Sequence, residues 1–177
     1  MEPDVFLKNF NSTFATWEKE LNNYSLEQLC KKPNPESWSL GEPYIHLMGQ
    51  TLYYNIEQIK ICISTNENEN GEKSAEGKEV FLHNSFPDQK IKAPSPEFET
   101  VHQPNSIEEI RKGLLRIKNL MTELESKIEK SPFKGKTKHP GLHYLNAGEW
   151  YQFIEMHFRH HLRQKERIDL YLRTISG

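Results

Sequence analysis

At 177 residues the chain suits one domain with a sizeable core and is short for two. Only 35% of residues are hydrophobic and mean hydropathy is -0.80, yet 11% are aromatic, too many for a chain that cannot collapse. The 23 basic and 25 acidic residues give a formal net charge of -2 and interleave without a long single-sign run, which argues against a nucleic-acid partner.

The densest basic tract, Lys134, Lys136 and Lys138, is short, carries Gly135 and reads as a solvated loop. No basic N-terminal region precedes an apolar run, and no segment approaches the length of a membrane span. A soluble cytoplasmic protein without membrane partners is the expectation. Cys30 and Cys62 are too few and too far apart for a zinc ribbon or a disulfide framework, so each is expected to be a small buried apolar residue.

In chain order, Pro3 suits a first helical turn, and Phe6, Phe10, Phe14, Trp17 and Leu21 then recur at helical spacing to define helix one. Pro33 and Pro35 make residues 31–37 a connection, because each lacks a donor and restricts the residue before it. Ser39 and Glu42 have capping-box spacing, with Pro43 tolerated in the first turn. Helix two is expected from Ser39 through His46 to about Ile63.

Residues 64–105 are polar at first, then scatter Phe81, Leu82, Phe86, Ile91 and Phe98 among prolines. A connection that long reads as a crossover whose second half packs onto the helices. Helix three opens at Ser106 with Glu109 three residues on, carries Ile107, Ile110, Leu114, Ile117, Leu120, Met121, Leu124 and Ile128, and should stop before Pro132. Asn146 and Glu149 form a third capping box, and Leu145 and Trp150 hold the positions of a hydrophobic staple. Helix four then runs toward the C-terminus with Trp150, Phe153, Ile154, Ile168 and Leu172 on its apolar stripe. No strand of convincing length alternates. The expected class is all-α: a four-helix bundle in one domain, 1–177, with a long crossover between helices two and three.

His157, His160 and His161 crowd helix four. At roughly 100° per residue, His157 and His161 fall within about 20° of the apolar stripe, and His160 about 80° away. Neutral imidazoles one turn apart can hold a divalent metal. They can equally be core histidines hydrogen-bonded to neighbouring helices.

The run Trp38-Ser39-Leu40-Gly41-Glu42 ending in His46-Leu47, with His139-Pro140-Gly141, Asn146-Ala147-Gly148-Glu149-Trp150 and His157-x-x-His160-His161-x-x-Gln164, resembles the DinB/YfiT-like metalloprotein superfamily. That resemblance implies a four-helix bundle holding a divalent metal, zinc or nickel, through one histidine of helix two and two of helix four. On this chain those are His46, His157 and His161. Periodicity does not place His46 inside, since it lies well over 100° from the mean direction of Ile45, Met48, Leu52, Ile56 and Ile59. Its assignment rests on the resemblance, and Gln50 and Tyr53 on its face would border the site. Gln164 is a candidate acceptor for the second ring N–H of His161, or a substrate contact. His160 is expected beside the site, and His139 and His143 in the connection before helix four, near its mouth.

Similar proteins use such a metal to transfer a low-molecular-weight thiol to an electrophile, and they are frequently homodimers. The alternatives are a metal-dependent hydrolase using metal-bound water, and a non-catalytic bundle for protein association or stress response. A hydrolase would need a general base, and the sequence identifies none, because Glu42 and Glu149 read first as capping residues.

Overall fold

The first helix forms where the aromatic spacing puts it. In the computed structural model, which describes residues 3–87 and 101–174, α1 spans Pro3–Leu21. Phe10, Phe14, Trp17 and Leu21 form one stripe and are all nearly inaccessible; the side chain of Phe6 lies outside what is described. A short helix that the spacing did not announce, α2 (Leu26–Cys30), follows on a Ser25–Gln28 capping box and buries Leu29.

The expected second helix is one continuous rod interrupted in its middle. It consists of α3 (Glu42–Gln50), a π-helical turn (Thr51–Asn55) and α4 (Ile56–Cys62). The capping box is present: the Ser39 amide donates to Glu42 Oε2 at 2.6 Å and the Glu42 amide to Ser39 Oγ at 3.3 Å. Regular helix nevertheless starts at Glu42 rather than at Ser39, and the Gly41 amide donates to the Leu29 carbonyl at 2.7 Å.

Within the crossover lies a further helix, α5 (Ala75–His83), capped by Ser74 and ended by Asn84 in the left-handed region at φ 47. Ile91 and Phe98 lie outside the described residues. The end of the crossover packs on the start of α3, where Ser39 Oγ donates to Gln103 Oε1 at 2.8 Å. Gly41 permits that approach, since a Cβ there would stand 2.7 Å from Pro104 Cγ.

Helix α6 (Ile107–Lys130) opens on Ser106, whose hydroxyl accepts from the Glu109 amide at 3.0 Å, and buries Ile110, Leu114, Ile117, Met121 and Leu124. The tract expected as a solvated loop instead forms a hairpin, β1 (Lys136–His139) against β2 (His143–Asn146), in antiparallel register. Its strands are too short for alternation to show, and residues 67–72 complete its hydrogen bonding through the Glu67 and Glu72 carbonyls. Last comes α7 (Ala147–Thr174), on the expected box: the Asn146 amide donates to Glu149 Oε2 at 2.8 Å, and the Glu149 amide to Asn146 Oδ1 at 2.9 Å.

The class is therefore all-α with one small hairpin. Helix α1 lies against α6 and α7, α3 against both of these, and α4 against α7. Ring packing seats α7: Phe14 and Trp17 meet Phe158 at 5.4 and 6.2 Å, and Trp17 meets Tyr44 edge-on at 4.7 Å. The polar tips are satisfied, with Trp17 Nε1 donating to the Phe158 carbonyl and the Tyr44 hydroxyl to that of Trp17. Burying each such ring contributes about 1.5–3 kcal/mol, so the residue beside Phe158, His157, is held on a rigid element. Among the described residues no helix is long and apolar enough to cross a membrane.

Candidate metal centre

The core stripe of α3 differs from the one the sequence suggests. Tyr44, Ile45 and Leu47 are buried before the π-turn and Thr51 at its first residue, whereas Ile56 and Ile59 are buried after it. Of the expected stripe, Ile45, Ile56 and Ile59 are buried, while Met48 and Leu52 pack half-buried against the core and full burial falls one residue earlier, at Leu47 and Thr51. An i→i+5 turn inserts one residue into the period and produces that slip. In neither phase does His46 join the apolar stripe. It is half-buried because three rings cover it: His161, His157 and Trp38, at centroid distances of 4.8, 5.1 and 5.2 Å.

From α7, His157 and His161 arrive one turn apart. His157 Nε2 stands 3.2 Å from His46 Nε2 and 3.1 Å from His161 Nε2, and all three nitrogens lie within 4.8 Å of one another. Imidazole nitrogens bound to a tetrahedral zinc-like ion at about 2.0–2.1 Å would stand roughly 3.3–3.4 Å apart. Two edges of the triangle come within a few tenths of an ångström of that value. The donor set also fits chemically, because metal ligation needs neutral rings. Burial, with a smaller contribution from neighbouring histidines, pushes His46 down to about 4 and His161 to about 3. His157 falls well below the ordinary value for the same reasons. Three neutral histidines close together can hold a divalent ion.

Around them the polar and apolar walls differ. His161 Nδ1 donates to Gln164 Oε1 at 2.7 Å, which fixes the tautomer that leaves Nε2 free. His157 Nδ1 is buried without a partner. Trp38 stacks on His161 at 5.9 Å and an interplanar angle of 7°, while Phe153 and Phe86 flank His157 at 5.6 and 6.5 Å. Phe86 is held there by its crossover segment. Arg163 donates to the Phe86 carbonyl at 3.0 Å, Arg159 to the Asn84 carbonyl at 2.7 Å, and Gln152 to Asn84 Oδ1 at 2.9 Å.

The remaining candidates fall at varied distances from this cluster. His160 packs beside it, 5.2 Å from the His161 ring, and its Nδ1 accepts from Arg163. Gln50 is half-buried and Tyr53 is 77% exposed, and neither makes a hydrogen bond or ring contact with the three histidines. His139 and His143 are paired in the hairpin register, with His143 exposed. Glu42 and Glu149 are engaged at their capping boxes and by Lys32 and Lys73. Sequence reasoning read Phe153 as part of the core stripe and Phe86 as part of a crossover packing onto the helices, and placed none of Trp38, Phe86 and Phe153 against the three histidines. Trp38 directly precedes a capping serine and could have been placed near the start of α3; nothing in the pattern sets Phe86 beside His157 in particular.

Two open concavities lie elsewhere. One of about 260 Å³ is lined by Gly71, Lys73, Lys78, Lys136 and Tyr144, its lysines already paired with Glu149, Glu72 and the Gly71 carbonyl. The other, about 530 Å³, runs past Ile63, Phe133 and Gly148. Neither brings together a comparable set of ligand nitrogens.

A family model described as the DinB superfamily matches residues 9–164. An uncharacterized protein of Bacillus subtilis (strain 168), YuaE, is 27% identical over 156 residues, which cover 86% of this chain and 90% of that protein. No solved structure matches. The matched span takes in His46, His157, His161 and Gln164, and the chain belongs to the DinB superfamily.

Proposed function

We propose that His46, His157 and His161 bind one divalent metal, zinc or nickel, and that the chain is a metal-dependent enzyme transferring a low-molecular-weight thiol to an electrophile. The observation that carries this reading is the convergence of three neutral Nε2 atoms from two separate parts of the chain. An ion bound there supplies Lewis acidity, which lowers the pKa of a thiol or water brought to it. Three protein ligands leave coordination open, as catalytic sites do.

The chain's own residues have separable tasks. Gln164 holds the His161 ring in the tautomer and orientation that present Nε2. Trp38, Phe86 and Phe153 surround the histidine rings with apolar surface, which excludes water and strengthens charge interactions inside. The thiol reading is preferred to a hydrolase because the carboxylates near the helix starts, Glu42 and Glu149, are tied to caps and lysines and are not available as a general base. Once deprotonated, a thiol needs no such base.

The deciding experiment measures metal content and thiol consumption with an activated electrophile on the zinc-loaded protein. Metal-dependent thiol transfer that disappears in His157→Ala, along with the bound metal, supports the reading. Ester or amide cleavage that proceeds without thiol favours the hydrolase, and a folded wild-type chain that takes up no metal removes both.

A further inference from the structure

His139 is the part of the sequence pattern that the proposed chemistry leaves unused. It ends β1, and its Nδ1 accepts from the amides of Gly141 and Leu142, each at 3.1 Å. Two donors on one ring nitrogen select the neutral tautomer with its proton on Nε2. Burial pushes the ring down to about 4, which keeps it neutral at ordinary pH. Among the described residues Nε2–H meets no acceptor, and that atom is not sealed from solvent.

Its place in the fold gives the idle donor meaning. The His139 ring lies on Phe153 at 4.8 Å and on Trp150 at 5.4 Å. Phe153 packs in turn on His157, and Phe86 closes on both at 5.5 and 6.5 Å. One ring, that of Phe153, therefore separates His139 from the triad on the same stripe of α7. A fixed neutral donor set among apolar walls, beside a reactive centre, is how binding sites orient an oxygen-bearing ligand.

We propose that His139 binds the second substrate, its Nε2–H donating to a carbonyl or carboxylate oxygen of a molecule seated against Phe86 and Phe153. This rests on the reading of the triad as an enzyme's metal site. It makes the electrophile an oxygen-bearing compound, and it gives the histidine of the hairpin a role beyond shaping the turn.

Two substitutions separate binding from turn formation. His139→Asn keeps an acceptor where Nδ1 stands, for the turn amides, and removes the distal donor. His139→Gln keeps a donor near the position of Nε2 and removes the turn acceptor. With benzoate as the probe, titrated into metal-free and zinc-loaded full-length protein, the ¹⁵N and ¹H resonances of the His139 Nε2–H should shift on binding. Benzoate affinity should fall about tenfold in His139→Asn and stay within about twofold of wild type in His139→Gln. A purely structural role gives the opposite order, with Asn benign and Gln harmful to the melting temperature. The proposal is overturned if His139→Asn binds benzoate as wild type does, or if benzoate moves the His139 resonance in neither metal state. Failure of zinc to bind overturns the reading of the triad instead, and the metal-free titration still decides His139.

Discussion

Gln164 and His161 sit three residues apart on α7, and their 2.7 Å contact turns a ring that could present either nitrogen into one that presents Nε2. Losing such an orienting acceptor typically weakens metal affinity 10–100-fold. Gln164→Leu is therefore expected to lower zinc affinity by about that factor, and Gln164→Glu to preserve it, in competition with a chromophoric chelator. The same rings set a pH dependence. In the unfolded chain histidines protonate near pH 6.5. Folded His46 and His161 resist protonation down to about 4 and about 3. Below pH 6.5 the unfolded state thus takes up protons that the folded state refuses, so this contribution lowers stability as pH falls from about 6.5 toward 3 and is absent above 7. Urea midpoints of the metal-free protein should show that decline, and His161→Gln should make it shallower, the other buried histidines keeping the rest. How much of this was legible differs by residue. The shared face of His157 and His161 follows from spacing alone, because α7 is regular across them. His46 does not follow, because its burial comes from rings contributed by distant segments, and the π-turn displaces the phase by which its helix would be read.

Where a helix starts was more readable than how it continues. Capping boxes at Ser39–Glu42 and Asn146–Glu149 are local chemistry, written in two residues three apart, and both form. The π-turn has no comparable signature in Thr51–Asn55, and the hairpin's four-residue strands are specified as much by the carbonyls of Glu67 and Glu72 as by their own side chains. Helix α5 lay hidden in a polar stretch, although Ser74 and Asn84 mark its two ends. Because α7 carries two of the three histidines, its cap can be tested for coupling to the site. Asn146→Ala removes one half of the box and should cost about 1 kcal/mol, in a range of roughly 0.5–2. For a chain of this length that is a fall of about 2–4 °C in melting temperature per kcal/mol. His157 lies three turns further along and is seated by the aromatic packing of Phe158 against α1. Zinc affinity in Asn146→Ala should therefore stay close to wild type, and a concurrent loss would show that the first turn of α7 positions the histidines.

Three histidines that close one cluster come from positions 46, 157 and 161, so an ion shared among them joins α3 to α7 across a loop of more than a hundred residues. The four long helical units were visible in the apolar spacing, but which of them adjoin was not, since neighbourhood is decided by the packing of whole faces. The consequence at this scale is thermodynamic. An unfolded chain of this composition has no preformed triad, so zinc binds mainly the folded state and stabilises it by RT ln(1 + [Zn]/Kd). With free zinc at a hundred times Kd that is about 2.7 kcal/mol. At about 2–4 °C per kcal/mol, the melting temperature should rise by roughly 5–11 °C and return to the metal-free value on addition of a chelator. In His46→Ala the rise should shrink sharply, since two nitrogens on one helix turn hold an ion much less tightly than three from two elements. A rise of equal size in that variant would mean that zinc binds elsewhere on the chain, and that the three rings meet only as packed core histidines.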